Sequence, residues 1–414
     1  MSTVNDTEDV MYYTGAQDRN ICPSMEFRYN LTNELDAEWF VGTFSYSWTD
    51  TVVHTIILPF ILSAGLLGNF AFLFVVSRIE WMRTITNCYL VNLALADMTF
   101  LVVSIGEKLH QYTRTPFVYD DLPKGATGCV LVPFAKDFCF FSSILLVTCI
   151  SVERFNAACR PLKQRRNKGA KLRARTAKLT AMAWVLSLAM ASLRISASCC
   201  QYRVYCLIWP DTDAYLDYTR EVGECRPAAE WVATVAKSIQ LVLFTVAMGV
   251  NTALYVRITR AVQCTKARPN ARHHIPCSGS TSAIEAKITR MVVATGVIFF
   301  LCLAPYELFS ALVMVLPTFD GNMVSAMQVC RMLMHLNSAI NPFIYNVANP
   351  RYRKAFRLAF TNTRAARTRE FRESVRETQH GRFKNPNQSS TVSTVPKRRT
   401  QGQSTQAANS VTKM

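Results

Sequence analysis

Charge is scarce in this chain. Only 18% of its 414 residues are Asp, Glu, Lys or Arg, against about a quarter in an ordinary soluble domain. Beside 50% hydrophobic residues, that shortage argues against a soluble enzyme. Metal chemistry lacks its usual signature: the 14 cysteines and 6 histidines form no Cys-x-x-Cys or His/Cys spacing. No internal repeat stands out, which weighs against the inverted-repeat plan of many transporters. The first 50 residues hold no apolar run of the signal-peptide kind, so the first apolar run is expected to direct membrane insertion itself. Acid is the scarcer sign, with 28 Asp and Glu against 46 Lys and Arg, a net charge of +18. Such an excess raises nucleic acid as a partner. Its placement excludes that, because the basic segments lie beside long uncharged runs.

What the chain has is seven such runs. A membrane-crossing helix takes roughly 20 apolar residues. The runs are 51–77, 84–106 with Asp97 inside, 125–152 with Lys136 and Asp137, 179–198 with Arg194, 238–256, 291–319 with Glu307, and 324–347 with Arg331. Seven is odd, so the termini lie on opposite sides. Segments 78–84, 157–178, 257–290 and 350–414 hold 33 Lys and Arg, while 1–50, 106–128, 194–230 and 315–328 hold 9, with 19 acids. Lys and Arg collect on the cytoplasmic side, so the first set is expected inside and the N-terminus outside. The sequons at Asn5 and Asn30 fall in the external tail and are candidate glycosylation sites. Asn387-Gln388-Ser389 falls inside and is expected to stay unmodified.

The expected fold is therefore an all-α membrane protein, a seven-transmembrane helix bundle plus a short amphipathic interfacial helix. Its parts are an extracellular tail (1–50), the bundle (51–347), the amphipathic helix (349–361) and a disordered cytoplasmic tail (362–414). In the helix, Tyr352, Phe356 and Phe360 recur every fourth residue among Arg351, Arg353, Lys354 and Arg357. The tail is basic, Ser/Thr-rich and poor in large apolar residues. Its cluster Ser389, Ser390, Thr391, Ser393 and Thr394 suits phosphorylation by kinases.

Specific residues sharpen this. In order along the runs come Gly68-Asn69; Asn92-Leu93-Ala94-Leu95-Ala96-Asp97; Glu153-Arg154-Phe155 with Pro161-Leu162; Trp184; Tyr255; Phe299 with Cys302-Leu303-Ala304-Pro305; and Asn341-Pro342-Phe343-Ile344-Tyr345. Over about residues 50–360 the chain resembles the rhodopsin-like class of G-protein-coupled receptors. The Ser151–Phe155 region and the 160s are similar to receptors of the thyrotropin-releasing-hormone, neuromedin and ghrelin type. Cys206 to Pro210 resembles the second outer loop of somatostatin-type receptors. The chain departs from the class pattern at Phe155, where Tyr is usual, and at Leu303, where Trp is usual. It also lacks the prolines common in the fourth and fifth spans, with Ala247 at the second of those positions.

The resemblance implies a set of sites. Asp97, Ser143, Asn337, Ser338 and Asn341 match the ligands of the family's allosteric sodium ion, and all bear oxygen, as a hard cation requires. No other cofactor is expected. Cys129 matches the family's bridge cysteine. Its mate is expected to be Cys206, because of the Trp-Pro that follows, with Cys225 as the alternative, and Cys22 is a candidate for a second bridge. Arg154 is expected to pair with Glu285 in the inactive state, with Glu153 as the competing local partner. Leu162 resembles the loop residue that inserts into the G-protein alpha subunit. Tyr255, Pro305, Asn341, Pro342 and Tyr345 match activation positions.

Ionisable residues inside a bilayer are costly and usually functional. Lys136, Asp137, Glu307 and Arg331 each lie in the outer half of their run and by family geometry line the ligand cavity, with Tyr306 as a candidate wall. Neutral pairing of Lys136 or Arg331 with Glu307 is expected. Aminergic receptors carry an Asp where Lys136 stands, so small cationic amines are disfavoured. An acidic side chain, carboxylate or amide carbonyl suits Lys136 and Arg331 better.

The expectation is a receptor in the plasma membrane, activated by an extracellular neuropeptide and signalling through a heterotrimeric G protein. Arrestin, receptor kinases and membrane lipids are further partners, and nucleic acid is not. A receptor of this fold for a lipid or small acidic ligand is the alternative, and a membrane transporter is the alternative of a different class. A retinal pigment needs a Schiff-base lysine in the last run, and 324–347 contain none. An enzyme needs a catalytic constellation, and His54, His110 and His335 fall in different runs with no triad order.

Overall fold

The computed structural model describes residues 27–160, 169–198, 201–267, 283–315 and 321–361. Strand β1 (Phe27–Asn30) and helix α1 (Glu34–Phe44) come first, and the Asn33 side chain caps α1 by accepting from Leu35 N. Helix α2 (Trp48–Arg78) opens on a capping box in which Ser47 and Asp50 exchange hydrogen bonds. There follow α3 (Ile85–Arg114), α4 (Gly125–Cys159), α5 (Ala170–Leu193), β2 (Gln201–Ile208), β3 (Glu221–Arg226), α6 (Glu230–Ala267), α7 (Ala283–Val315), α8 (Gly321–Ala348) and α9 (Pro350–Phe360).

Helices α2 to α7 each contain a stretch long and apolar enough to cross a membrane. The 28 residues of α8 span about 42 Å at 1.5 Å per residue and complete seven. In the closed bundle, α4 touches α3, α5, α6 and α7, while α8 joins α7 back to α2. Phe72, Leu93, Ile144, Phe299, Leu303 and Tyr345 are buried along its axis. Phe60, Leu67, Val185, Val246, Leu301 and Val347 are exposed around its flank. An apolar belt of that extent on a soluble monomer is an aggregation surface; on a bilayer-spanning bundle it is the lipid contact. Polar side chains inside the bundle bond across helices instead: half-buried Trp184 Nε1 donates to Asn92 Oδ1 at 2.9 Å, and buried Asn69 Nδ2 to Ser338 O at 3.1 Å.

The helices outrun the apolar runs. Helix α3 continues past Gly106 through Arg114, and α5 starts at Ala170 rather than near Leu179. Hydropathy ends where the bilayer ends, but backbone hydrogen bonding continues into the amphipathic turns beyond it.

One end of the bundle carries a three-stranded sheet of order β1-β2-β3, with β1 parallel and β3 antiparallel to β2. Neither this sheet nor α1 follows from the hydropathy pattern. Leu31, Ala37, Phe40, Phe117 and Leu207 form a second core there, with Trp209, Tyr215 and Tyr218 packed around it. At the opposite end, Asn349 caps α9, which buries Tyr352, Ala355, Leu358 and Ala359 toward the bundle. Phe360 lies exposed, so the expected stripe divides: Tyr352 turns inward and Phe360 outward.

Candidate functional site

At the sheet end the bundle opens into a cavity of about 460 Å³, within the usual range for ligand pockets. Lys136, Asp137, Tyr306 and Arg331 line it together, from α4, α7 and α8. Glu307 does not line it. It is buried and accepts Gln240 Nε2 at 2.7 Å, and Gln240 is the wall residue. The expected pairing of Lys136 or Arg331 with Glu307 is therefore not formed, because a nearer acid exists. Lys136 pairs with Glu107 of α3. The other Glu107 oxygen meets Lys124 at 2.5 Å, and Lys124 reaches Asp121 at 2.6 Å. Asp137 is taken by Arg194 at 2.7 Å, and Arg194 also donates to Ala236 O of α6 at 2.9 Å. Arg331 and Lys108 of the cavity wall have no ion-pair partner among the described residues.

The cavity floor holds a further buried group. His335 Nε2 lies 2.8 Å from Ser104 Oγ, while its Nδ1 has no partner among the described residues. Near the rim, Asp50 accepts Gln328 Nε2 at 2.7 Å, and its backbone oxygen lies 2.7 Å from His54 Nδ1. Burial, then the neighbouring Asp50 and Asp120 carboxylates, push the Tyr46 phenol up, so it remains a neutral edge-on partner of the His54 ring at 5.2 Å.

Glu107, Lys108, Lys124, Gln240 and His335 were not predicted. Glu107 and Lys108 fall just past the second apolar run, in the segment 106–128, where charge is ordinary. The available signal was helical spacing, since Leu101, Ser104, Lys108 and Gln111 fall on one face of a continuing helix.

The disulfide corrects the sequence reading. Cys129 is joined to Cys225, the alternative, with Cα atoms 5.6 Å apart. Asp120 Oδ1 accepts Gly223 N at 2.8 Å, and Asp121 Oδ2 accepts Cys225 N at 3.2 Å. This clamps β3 onto the turn that begins α4 and sets Cys225 beside Cys129. Only glycine fits at 223, where a Cβ would lie 2.5 Å from Leu122 N. Cys206 occupies the middle strand opposite Arg28 and Glu221. It is itself disulfide-bonded, and the candidate Cys22 lies outside the described residues. Trp209, which follows Cys206 by three residues, serves the aromatic core at the sheet end, donating Nε1 to Thr219 O at 2.9 Å and packing on Phe40 at 5.8 Å. Asn30 ends β1, where its Oδ1 accepts from Thr32; Asn5 lies outside the described residues.

Midway along the bundle, Asp97 is buried and accepts Asn341 Nδ2 at 2.8 Å through one oxygen. Its Oδ1 has no hydrogen-bond partner among the described residues, nor has Asn337 Oδ1. Ser143, Asn337 and Ser338 line a small cavity whose other wall includes Leu303. Orphaned buried carboxylate and amide oxygens fit a hard monovalent cation.

At the opposite end, Arg154 is buried and bound side-on by Glu153, Nε to Oε2 at 2.5 Å and one terminal nitrogen to Oε1 at 2.6 Å. The local partner therefore engages the arginine. The Glu285 side chain and Leu162 lie outside the described residues. Tyr255 accepts Ser151 Oγ at 2.9 Å. Gly296 makes room for it, since a Cβ there would lie 1.7 Å from the Tyr255 oxygen. Tyr345 is buried beside Phe72 and Tyr352, with centroids at 5.3 and 5.9 Å. Pro305 and Pro342 sit inside α7 and α8.

A seven-helix membrane bundle with a cavity at one end and an arginine-centred cluster at the other defines a transmembrane receptor. The description "7 transmembrane receptor (rhodopsin family)" matches residues 68–345. The chain belongs to that family, the G-protein-coupled receptors of the rhodopsin class. It is 26% identical to the Homo sapiens thyrotropin-releasing hormone receptor over 334 residues, covering 74% of this chain and 77% of that protein. It is 25% identical to the Mus musculus growth hormone secretagogue receptor type 1 over 362 residues, covering 81% and 90%.

Proposed function

We propose that this receptor is activated by an extracellular peptide that enters at the sheet end, and that the opposite end engages a heterotrimeric G protein in the cytoplasm of a cell whose plasma membrane holds the receptor. The observation that carries the reading is the cavity's charge balance. Glu107 and Asp137 are spent on Lys136, Lys124 and Arg194, while Arg331 and Lys108 form no ion pair among the described residues. An anionic or carbonyl-rich ligand end supplies what is missing, and a small amine does not. Both relatives are named as receptors, one for thyrotropin-releasing hormone and one for a growth hormone secretagogue, which fits an extracellular hormone-like ligand. Asp137 and Tyr306 are the wall contacts of this reading, and Glu307 acts through Gln240.

Agonist binding shifts the bundle toward a state in which Arg154 leaves its carboxylate partner, Tyr255 leaves Ser151, and the inner end opens to catalyse nucleotide exchange. Glu285 is the second proposed partner of Arg154 in the inactive state; Glu285→Ala is expected to raise basal signalling, and unchanged basal activity discards that lock. Sodium, held by Asp97, Ser143, Asn337, Ser338 and Asn341, would supply positive charge that stabilises the inactive packing. Asp97→Asn is then expected to abolish any sodium dependence of agonist affinity. Leu162 is the proposed G-protein contact. Asn5 and Asn30 are the proposed glycan sites. The 362–414 tail is the proposed kinase and arrestin segment, and membrane lipids are proposed partners of the basic inner segments.

The test is a signalling screen. Cells expressing the chain receive pooled amidated neuropeptides while calcium and cyclic AMP are read together. A peptide response that weakens in Lys136→Ala and Arg331→Ala supports the reading. Silence toward peptides, with a response to lipids or small acids, keeps the receptor and overturns the ligand class.

A further inference from the structure

A second cavity, of about 130 Å³, lies at the end opposite the sheet, where α3, α4 and α5 meet. Tyr89, Cys149, Glu153, Arg160, Arg175 and Leu179 are among its walls. Its one acid is engaged, because Glu153 binds Arg154. Its cations are not neutralised. Arg160 and Arg175 are exposed and make no ion pair among the described residues. Arg160 rests on the Phe155 ring at 5.5 Å, a contact that orients the guanidinium without cancelling its charge. Lys171 and Arg173 crowd the start of α5, which has no acid in its first turn. Cations at that end of a helix oppose its dipole, so the local field there is strongly positive.

The same helix supplies an apolar track. From Arg175, the positions i+4, i+7 and i+11 are Leu179, Met182 and Leu186, which share one face. Met182 is 47% and Leu186 50% exposed, while Thr176, Thr180, Ala183 and Ser187 turn into the bundle. A cationic mouth therefore continues into an uncovered apolar strip that runs along the lipid-facing flank.

We propose that this groove binds an anionic phospholipid of the adjoining leaflet, its headgroup phosphate between Arg160 and Arg175 and one acyl chain along Leu179, Met182 and Leu186. Guanidinium meets phosphate through paired, charge-assisted hydrogen bonds. The apolar strip favours a lipid over a soluble phosphate, which leaves the strip bare. The proposal deepens the suggested role of the basic inner segments. The site shares Glu153 with the pair that holds Arg154, so headgroup occupancy and release of Arg154 are coupled, and by linkage each biases the other.

The test uses the full-length receptor in nanodiscs of neutral phosphatidylcholine, doped with a fluorescent phosphatidylinositol bisphosphate or with phosphatidylserine. Nanodiscs offer the same lipid to both faces, so the result is independent of the receptor's orientation in cells. Wild type is expected to retain the inositol lipid at least about tenfold more tightly than Arg160→Ala/Arg175→Ala, while Met182→Ser/Leu186→Ser weakens it about threefold. Soluble inositol trisphosphate is expected to compete weakly. Binding unchanged in the arginine variant, or equal competition by the soluble phosphate, overturns the site. Should the arginine variant fail to fold, a photoactivatable phosphatidylinositol bisphosphate is crosslinked to wild type. Label within residues 172–186 supports the proposal, and label confined to other helices overturns it.

Discussion

The two ends of the bundle handle charge in different ways. At the sheet end, Lys136, Glu107, Lys124 and Asp121 form one continuous chain of ion pairs, which Asp121 ties to the strand of the Cys129–Cys225 bridge. At the other end, one side-on pair, Arg154 with Glu153, sits beside arginines that no described acid neutralises. A buried pair broken on one side costs several kcal/mol, so a network of four resists motion far more than one pair does. The difference teaches a division of labour. The sheet end holds its charges in a connected network around the cavity, while the opposite end rests on one such pair, which a partner protein can replace under the proposed function.

The largest effect is expected from cutting the clamp at the sheet end. Cys225→Ser removes a bridge across a separation of 96 residues, worth roughly 2–4 kcal/mol in typical cases. Agonist binding on the surface of intact cells is expected to be lost, while Cys139→Ser, a buried free cysteine, preserves it. Equal binding by both variants would remove the clamp from the account. Next in size is Arg331→Ala. A charged hydrogen bond contributes about 1.5–3 kcal/mol, so agonist potency is expected to fall roughly 10- to 100-fold in a concentration–response curve at matched surface expression.

Gly223→Ala comes third. Its Cβ meets the Leu122 backbone, which lifts β3 from the α4 turn. A loss of about 1–3 kcal/mol, the usual overpacking cost, is expected in the thermal midpoint of the purified receptor, with a parallel drop in agonist affinity. The smallest effect belongs to the end opposite the sheet. Gly296→Ala displaces the Tyr255 ring from Ser151. Loss of one hydrogen bond, about 1 kcal/mol, is expected to raise basal signalling about fivefold with agonist affinity nearly unchanged.

How much of this was legible beforehand follows the physics of each feature. Seven apolar runs and the Asp97, Arg154, Pro305 and Asn341-Pro342 positions stand out because a bilayer and a helix period constrain them locally. The cavity charges were half legible. Lys136, Asp137 and Arg331 announce themselves as ions within apolar runs, but Glu107 and Lys124 sit just beyond, where charge is ordinary. The partner of Lys136 depends on how α3 leans against α4, which no spacing within one segment reveals. The bridge partner was misjudged for the same reason. Trp209 made Cys206 conspicuous, whereas the choice of Cys225 rests on Asp120 and Asp121 gripping the backbone of β3, a contact 103 residues distant in sequence for Asp120 and Gly223. The sheet joining β1 to β2 was hidden too, because a four-residue parallel strand leaves almost no periodicity.

The most direct measurement is guanine-nucleotide exchange on a purified heterotrimeric G protein by the reconstituted receptor, with and without a peptide agonist, in wild type, Arg331→Ala and Gly296→Ala. The account predicts agonist-driven exchange in wild type, normal basal exchange with agonist potency roughly 10- to 100-fold lower in Arg331→Ala, and raised basal exchange with retained agonist potency in Gly296→Ala. Wild-type agonist potency in Arg331→Ala, together with wild-type basal exchange in Gly296→Ala, would contradict it.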